Sequence, residues 1–381
     1  KRQVFTATIQ FSEAVSGFVV GDIAVSNASL SAFTPVDGDT YTVQVTPTAE
    51  GSFTLDVGAA VATDAAGNDN VAAAQVAGNY DVSAPTVVIQ NVPADTNAPF
   101  TATIQFSEAV TGFVVGDIAA GNASLTAFTA VDGDTYTVLV TPTAEGTFTL
   151  DVVAAVAQDA AGNASTAALQ AAGNYDASAP TVTILNVPAD TNTAFTATIQ
   201  FSEAVTGFTV GDIVAGNASL SGFAAIDGDT YTVLVTPSAD GTYTLDVGAA
   251  VATDVAGNGN EASVQASGTF DATAPTVAIL NVPAETNAAF TATIQFSEEV
   301  SGFGIGGISG SNVTLSMFTA VDGDTYTVLV TPTADGPYTL DVGAAVAIDD
   351  VGNGNVGAAQ AAGTYDSTPP ATPSLDAVSA D

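Results

Sequence analysis

One stretch of nine residues returns four times at a fixed spacing, and this spacing limits what the chain can fold into. The stretch Phe-Thr-Ala-Thr-Ile-Gln-Phe-Ser-Glu begins at Phe5, Phe100, Phe195 and Phe290, which are 95 residues apart each time. A unit of this length can bury a core of its own, whereas the shorter repeats of a solenoid depend on their neighbours. The 381-residue chain is therefore expected to hold four copies of one small domain.

The pattern inside each copy is that of short β-strands. In the repeated stretch, Phe5, Ala7 and Ile9 alternate with polar residues, which is the period of a half-buried strand. The second copy predicts seven strands, at 86–92, 100–106, 112–118, 123–130, 135–141, 148–156 and 167–175. Propensity also allows a helical turn at the Ala-rich residues 153–161, but Val, Thr and flanking Gly favour a strand. The sequence predicts an all-β fold, a tandem array of four immunoglobulin-like Greek-key β-sandwich domains.

The C-terminal residues resemble the strand that the first repeat lacks. We place repeat 1 at 1–83, repeat 2 at 84–178, repeat 3 at 179–273 and repeat 4 at 274–368. Repeat 1 lacks its first strand, while residues 369–381 resemble one. This tail is either the first strand of a following domain or a donor strand that completes the first domain of an identical subunit, head to tail. Its Pro residues favour the first interpretation.

The charge is almost entirely negative. There are 40 Asp and Glu residues but only two basic residues, Lys1 and Arg2, and no His, Cys or Trp. Such a surface repels nucleic acid and anionic lipid, and its self-repulsion calls for neutralising cations. No disulfide or thiolate chemistry is available, and no run of eighteen apolar residues predicts membrane insertion.

Several motifs carry a resemblance over nearly the whole chain. They are Phe-Ser-Glu-Ala-Val, Gly-Asp-Ile, Asp-Gly-Asp-Thr-Tyr-Thr-Val and Asp-x-x-Gly-Asn. This combination resembles the bacterial Ig-like repeats of very large secreted surface adhesins of the RTX, type I secreted class. The resemblance implies an extracellular, calcium-rigidified stalk that holds an adhesive module away from the cell, with a role in cell adhesion and biofilm formation. It does not identify the adhesive target. The calcium nonapeptides of such adhesins are absent, so the chain corresponds to the stalk.

The recurring carboxylates predict cation sites between the domains. In a sandwich of this topology, the loop after the second strand and the loop before the seventh lie at the end that faces the preceding domain. The linker residue Asp81 is therefore expected to meet Glu108 and Asp159, with Asn163 as a neutral oxygen donor. Three carboxylates without a basic partner repel one another unless a hard cation such as Ca²⁺ binds among them. The equivalent residues are Asp176, Glu203, Asp254 and Asn258; Asp271, Glu298, Asp349 and Asn353; the incomplete set Glu13, Asp64 and Asn68; and the linker residue Asp366.

A simpler interpretation is that these residues only stabilise turns through Asx hydrogen bonds. Asp132 and Asp134 fit that interpretation better than a metal site, because a hairpin turn favours these residue types. Asp117 and its counterparts Asp22 and Asp212 are poor ligand candidates, because Gly307 stands at the same position in repeat 4.

Two other functions are considered. An enzyme needs one asymmetric pocket, whereas every candidate carboxylate recurs in all four copies and no His, Cys or Lys nucleophile supports it. N-glycosylation sequons occur in each copy, but a turn before a strand is the favoured explanation, because most bacteria do not modify this motif. The sequons begin at Asn27, Asn122, Asn217 and Asn312. We therefore expect a non-enzymatic spacer whose partners are neighbouring Ig-like domains of the same chain, or identical subunits in a self-assembling filament.

Overall fold

The computed structural model describes residues 4–374, whose strands form four sets in the same order. Domain 1 contains β1 (Phe5–Gln10), β2 (Ile23–Ser26), β3 (Ala28–Pro35), β4 (Thr40–Pro47), β5 (Gly51–Val57) and β6 (Val76–Tyr80). Domain 2 contains β7 (Val87–Gln90), β8 (Asp95–Thr96), β9 (Phe100–Phe106), β10 (Ile118–Gly121), β11 (Ala123–Ala130), β12 (Thr135–Pro142), β13 (Gly146–Val152) and β14 (Ala171–Tyr175).

Domains 3 and 4 repeat the arrangement of domain 2. Domain 3 contains β15 (Val182–Leu185), β16 (Asp190–Thr191), β17 (Phe195–Phe201), β18 (Ile213–Gly216), β19 (Ala218–Ala225), β20 (Thr230–Pro237), β21 (Gly241–Val247) and β22 (Ala266–Phe270). Domain 4 contains β23 (Val277–Leu280), β24 (Glu285–Thr286), β25 (Phe290–Phe296), β26 (Ile308–Ser311), β27 (Val313–Ala320), β28 (Thr325–Pro332), β29 (Gly336–Val342) and β30 (Ala361–Tyr365). One 3₁₀ turn directly precedes each of the strands β2, β10, β18 and β26, at Val20–Asp22, Val115–Asp117, Val210–Asp212 and Ile305–Gly307.

Each domain consists of two sheets. In domain 2 one sheet has the order β11-β12-β9-β7 and the other the order β10-β13-β14-β8. All neighbouring strands are antiparallel except β8 and β14, which are parallel. Among the described residues of domain 1, the sheets have three strands each, β1-β4-β3 and β2-β5-β6. The predicted all-β array of four Ig-like sandwich domains is confirmed.

Three of the predicted strands were wrong in detail, and one of them, predicted at 167–175, begins only at Ala171 as β14. Residues 112–117 form a turn because the Asp117 carboxylate accepts a hydrogen bond from the Val114 amide at 2.8 Å, which closes the 3₁₀ turn. The sixth strand, β13, ends at Val152, and residues 153–161 form turns in which Ala155 has a φ of +65°. The Ala-rich segment is therefore neither a strand nor a helix.

The core of each sandwich follows the predicted alternation. In domain 2, Ile104, Val138 and Leu150 face the opposite sheet and are fully buried. Rings close one end of this core, where Phe113 lies 5.0 Å from Tyr136 between centroids. The chain forms two compact units, residues 1–177 and residues 178–381. The described residues include no helix long and apolar enough to cross a bilayer.

Candidate metal sites at two domain junctions

Backbone pairing between two loops brings the carboxylates of domain 2 together. Gln158 pairs with Thr111 as an isolated antiparallel bridge, with N–H to carbonyl distances of 2.8 and 3.0 Å. Asp159 follows Gln158 directly, and Glu108 lies three residues before Thr111. The bridge therefore fixes Asp159 beside Glu108 at the end of the sandwich that faces domain 1.

The loop of Asp159 is closed by its own side chain. Its carboxylate accepts hydrogen bonds from the backbone amide and the side-chain amide of Asn163, both at 2.8 Å, and the residue is only 5% exposed. The Asn163 side chain also donates to the backbone carbonyl of Asp81 at 3.1 Å. One amide group thus joins the loop of domain 2 to the linker from domain 1.

The linker is also held from the domain 1 side, by a residue that the sequence analysis missed. Glu50 accepts hydrogen bonds from the Val82 amide at 3.2 Å and from the Ser83 hydroxyl at 2.8 Å. On the other side, the carbonyl of Pro85 accepts from the Thr166 amide of domain 2 at 2.9 Å. The recurrence of an acidic residue before the Gly of the β4–β5 turn was the available signal. Asp240 and Asp335 hold the linkers after domains 3 and 4 in the same way.

Within each of the two compact units, one group of three carboxylates among the described residues has the geometry of a cation site. In each group, one oxygen from every carboxylate lies within 4.8 Å of the others. The first group, which we call the first junction, consists of Asp81, Glu108 and Asp159. The second, the third junction, consists of Asp271, Glu298 and Asp349. Since no Lys or Arg follows Arg2 in the sequence, a hard cation with oxygen ligands is the partner that suits these groups.

The third junction is built like the first but has more charge around it. Asn353 donates to the Asp349 carboxylate at 2.8 Å and to the Asp271 carbonyl at 2.9 Å. Its amide oxygen accepts from the Asn192 side chain of domain 3 at 3.2 Å. A cavity of about 300 Å³ at this junction is also lined by three further carboxylates. They are Asp190, Glu299 and Asp350.

The carboxyls of one site differ in acidity. Burial raises the pKa of the Glu108 carboxyl, and the charges of Asp81 and Asp159 raise it further. Burial acts on Asp159 in the same direction, but hydrogen bonds from the side chain and backbone of Asn163 outweigh it and hold the pKa of Asp159 below its ordinary value. Glu108 therefore takes up a proton before Asp159 does as the pH falls, and a cation bound there would oppose that uptake.

Among the described residues, the other proposed ligands form no such group of three carboxylates within either compact unit. Asp176 belongs to the first compact unit and Glu203 and Asp254 to the second, so this set stays a prediction. Within the second unit, the Asp254 carboxylate accepts from the Asn258 side chain at 2.8 Å. In domain 1, Asp64 and Asn68 form the same loop, again with a 2.8 Å bond. Glu13 lines the same cavity as these two residues, and Asp366 caps the amide of Thr368 at 2.8 Å.

The residues that the sequence analysis assigned to turns form hydrogen bonds with the backbone of those turns. Asp132 accepts from the backbone amides of Asp134 and Thr135 at 3.1 and 2.8 Å. At the sequon of domain 2, the Asn122 side chain donates to the carbonyl of Ala144 at 2.7 Å, and its oxygen accepts from the Ala144 amide at 3.1 Å. This amide already has backbone partners in the folded domain, which supports the turn interpretation.

Another amide side chain, which the sequence analysis did not identify, is buried and supports the loop that carries the buried Asp. The side chain of Asn355, which is 2% exposed, accepts from the amides of Val346 and Ala347 at 2.9 Å and donates to the Gly343 carbonyl at 2.9 Å. Asn70 and Asn260 do the same in domains 1 and 3. In domain 2 the position is Ser165, whose hydroxyl accepts only from Ala157, at 3.3 Å.

The four repeats match a known domain family. Four consecutive segments, residues 1–82, 81–175, 176–270 and 271–365, each match the bacterial Ig-like domain, and the chain belongs to this family. No curated protein sequence matches it.

Similar solved structures include three bacterial proteins. The Escherichia coli adhesin FdeC is 14% identical, with 74% of this chain and 99% of that one covered and a TM-score of 0.36. The integrin-binding protein invasin is 13% identical, with 95% and 79% covered and a TM-score of 0.35. InvD of Yersinia pseudotuberculosis is 14% identical, with 76% and 99% covered and a TM-score of 0.34.

Proposed function

We propose that this chain is a section of an extracellular stalk on a bacterial surface adhesin, stiffened by Ca²⁺ at its domain junctions. The observation that carries the proposal is the placement of the first and third junctions. In both, a linker Asp of one domain meets a Glu and a buried Asp of the next, with ligand oxygens within 4.8 Å. Export by a type I system, cell adhesion and biofilm formation belong to the same proposal.

Calcium suits these junctions better than other cations. All the ligands are oxygens, and Ca²⁺ accepts irregular sets of carboxylates and carbonyls, whereas Mg²⁺ requires near-octahedral geometry and keeps several waters. Extracellular modules hold calcium at about 10⁻⁴ to 10⁻³ M, which suits an external site. Burial and the charges of the neighbouring carboxylates raise the pKa of Glu108 and of Glu298, and each ion would remove the second contribution.

The mechanical effect follows from where the ligands lie. A cation bound to Asp81 of the linker and to both loops of domain 2 restricts bending at the linker. The hydrogen bonds to Glu50 and Asn163 already orient this linker, so that less ordering remains to be done when the ion binds. Short linkers otherwise allow domains to move relative to each other.

A calorimetric titration of the full chain with Ca²⁺ tests this function. We expect saturable binding that is lost at two sites in the double variant Asp159→Asn, Asp349→Asn. The matched control is Asp132→Asn, Asp322→Asn, which changes equally many carboxylates in turns and should bind as the unmodified chain does. Equal calcium uptake by all three proteins would show diffuse charge screening instead and contradict the proposal.

A head-to-tail filament is the second candidate. It would require a tail that pairs as a strand with another subunit. Of the proposed donor strand, residues 369–374 form no strand and residues 375–381 lie outside the described residues.

A further inference from the structure

One group of three side chains recurs in every domain and takes no part in the junctions. In domain 2 it consists of Gln105 on β9, Thr135 on β12 and Asp134, and Gln105 is the direct partner of Thr135 in the antiparallel register. All three residues are half-buried. We call each such group a triad. The equivalent triads are Gln10, Asp39 and Thr40; Gln200, Asp229 and Thr230; and Gln295, Asp324 and Thr325.

The contacts of this triad bring a nucleophile, a base and an amide together. The Thr135 hydroxyl lies 3.0 Å from Oε1 of Gln105 and 2.7 Å from Oδ1 of Asp134. The same carboxylate oxygen accepts a hydrogen bond from Nε2 of Gln105 at 3.0 Å. Asp134 therefore contacts both the oxygen that would lose a proton and the nitrogen that would gain one if the hydroxyl attacked the amide.

The hydroxyl makes the same two contacts in the other domains. Its distances from the Gln Oε1 are 2.8, 3.0 and 3.0 Å in domains 1, 3 and 4. Its distances from the Asp Oδ1 are 2.8, 2.6 and 2.6 Å. In domain 2 the turn is closed by Asp132, which accepts from the amides of Asp134 and Thr135. The Asp134 carboxylate is thus directed to the triad rather than to the turn.

We propose that each triad forms an intramolecular ester cross-link between its Thr and its Gln. The Thr135 hydroxyl transfers its proton to Asp134, and its oxygen bonds to Cδ of Gln105 once the amide has rotated about its last side-chain bond. The Cδ–Nε2 bond then breaks, and Asp134 passes the proton to the nitrogen, which leaves as ammonia. The products are one ester, one ammonia molecule and an unchanged Asp134.

The reaction needs no cofactor and no high rate. Each triad reacts once, so the site can recur in all four copies, unlike the pocket of an enzyme. The register of β9 and β12 holds the reacting groups together, which replaces an encounter in solution by a step within one molecule. Ammonia takes up a proton at neutral pH and diffuses away, and ammonium is not a nucleophile, which opposes the reverse reaction.

The cross-link gives covalent reinforcement to a chain that has no Cys. It joins two neighbouring strands and encloses residues 105–135 in a covalent loop, as a disulfide would. Such a loop reduces the conformational freedom of the unfolded chain and so stabilises the folded domain. Because it involves no junction carboxylate, the reinforcement persists in a chelator and is independent of the proposed calcium sites.

The test is intact-mass spectrometry of the full chain under denaturing conditions. We expect a mass below that of the sequence by one ammonia molecule for each triad. Thr135→Val removes the nucleophile and Asp134→Asn removes the base, so each variant should lose one ammonia molecule fewer than the unmodified chain. The matched control is Thr137→Val, which changes the next Thr along the same face of β12 and should leave the loss unchanged.

Proteolysis locates the bond. Cleavage after Glu108 separates Gln105 from Thr135 in an unlinked chain, whereas the ester holds the two peptides together until mild alkaline hydrolysis releases them. This result also distinguishes the ester from succinimide formation at the Asn-Gly pairs that begin at Asn258 and Asn353, which loses ammonia but joins no peptides.

Three results would overturn the proposal. One is the full mass of the sequence, which would make the triads ordinary cross-strand hydrogen bonds. Another is a loss of ammonia that is the same in Thr135→Val as in the unmodified chain. The third is a loss that maps to the Asn-Gly pairs while the peptides of Gln105 and Thr135 separate freely.

Discussion

The first and third junctions have the same three carboxylates but different surroundings. At the third junction Glu299 and Asp350 adjoin the ligand residues, whereas the first junction has Ala109 and Ala160 at these positions. Asp350 adds to the burial and charge that raise the pKa of Glu298. One backbone arrangement thus supports two carboxylate groups of different charge density, so the third junction should bind Ca²⁺ more tightly and be less stable without it.

The largest effect is expected at the buried ligand of the third junction. Asp349 accepts hydrogen bonds from the amides of Val351, Gly352 and Asn353 at 2.7 to 3.0 Å. Replacing it by Ala removes these bonds from a charged acceptor and should lower the opening free energy of domain 4 by about 3 kcal/mol, even in a chelator. Native-state hydrogen exchange measures this quantity for each domain.

The control for this variant is its neighbour. Asp350→Ala removes a carboxylate that lines the cavity and does not close the loop, and it should change the opening free energy by no more than about 0.5 kcal/mol in chelator. A similar loss in both variants would mean that the loop hydrogen bonds contribute little to the stability of domain 4.

Exchanging the residues that adjoin the ligands tests whether these surroundings determine calcium affinity. Glu299→Ala with Asp350→Ala removes two of the three further carboxylates of the third junction and should weaken its calcium binding about tenfold, since two nearby charges are lost. Ala109→Glu with Ala160→Asp should strengthen the first junction in the same calorimetric titration. If neither exchange changes affinity, the three shared ligands alone determine binding.

Calcium affinity should decrease at both junctions as the pH is lowered. The pKa of Glu108 and of Glu298 is raised, so each takes up a proton on acidification before its buried Asp partner does, and protonation competes with the ion. Without calcium, the raised pKa of Glu108 or Glu298 stabilises the folded chain at pH values below the pKa of the same carboxyl in the unfolded chain. This stabilisation is lost as the pH rises through the raised pKa of the folded chain. The depressed pKa of Asp349 acts in the opposite sense, and its contribution is lost as the pH falls through the folded value.

Titrations with Ca²⁺ at several pH values check this expectation. Affinity should drop by up to about tenfold per pH unit below the raised pKa of the Glu. In Glu298→Gln the third junction should bind more weakly but with a shallower pH dependence. An unchanged slope in that variant would assign the proton competition to another group.

The smallest effect concerns the linker and does not require a metal. Asn353→Ala removes the donor to the Asp271 carbonyl and the acceptor of Asn192, and it should lower the local opening free energy of the linker by about 1 to 2 kcal/mol. Asn163→Ala at the first junction removes the donor to Asp81 and should have an effect of about 1 kcal/mol. Hydrogen exchange of linker peptides in chelator compares the two, and equal effects would assign no role to Asn192.

Much of this architecture could be predicted from sequence because the repeat and the strand alternation are strong signals. The alternation in Phe5 to Ile9 identifies a strand, and the fixed spacing identifies four domains. The loops were predicted less well because their conformation depends on single hydrogen bonds and positive φ angles, as at Asp117 and Ala155. The roles of Glu50 and Asn355 were missed because the recurrence of these residues does not show which backbone groups elsewhere in the chain they contact.

Calcium-dependent stiffening is measured most directly by spin-label distances across one junction. The chain has no Cys, so the pairs Val36→Cys with Val131→Cys, and Ile226→Cys with Val321→Cys, label equivalent exposed turns across the first and third junctions. With Ca²⁺ we expect one narrow distance distribution for each pair, broadening reversibly on chelation and recovering at lower calcium for the third junction. Distributions that are unchanged by chelation would contradict the account, because hydrogen bonds and packing alone would then hold the linkers.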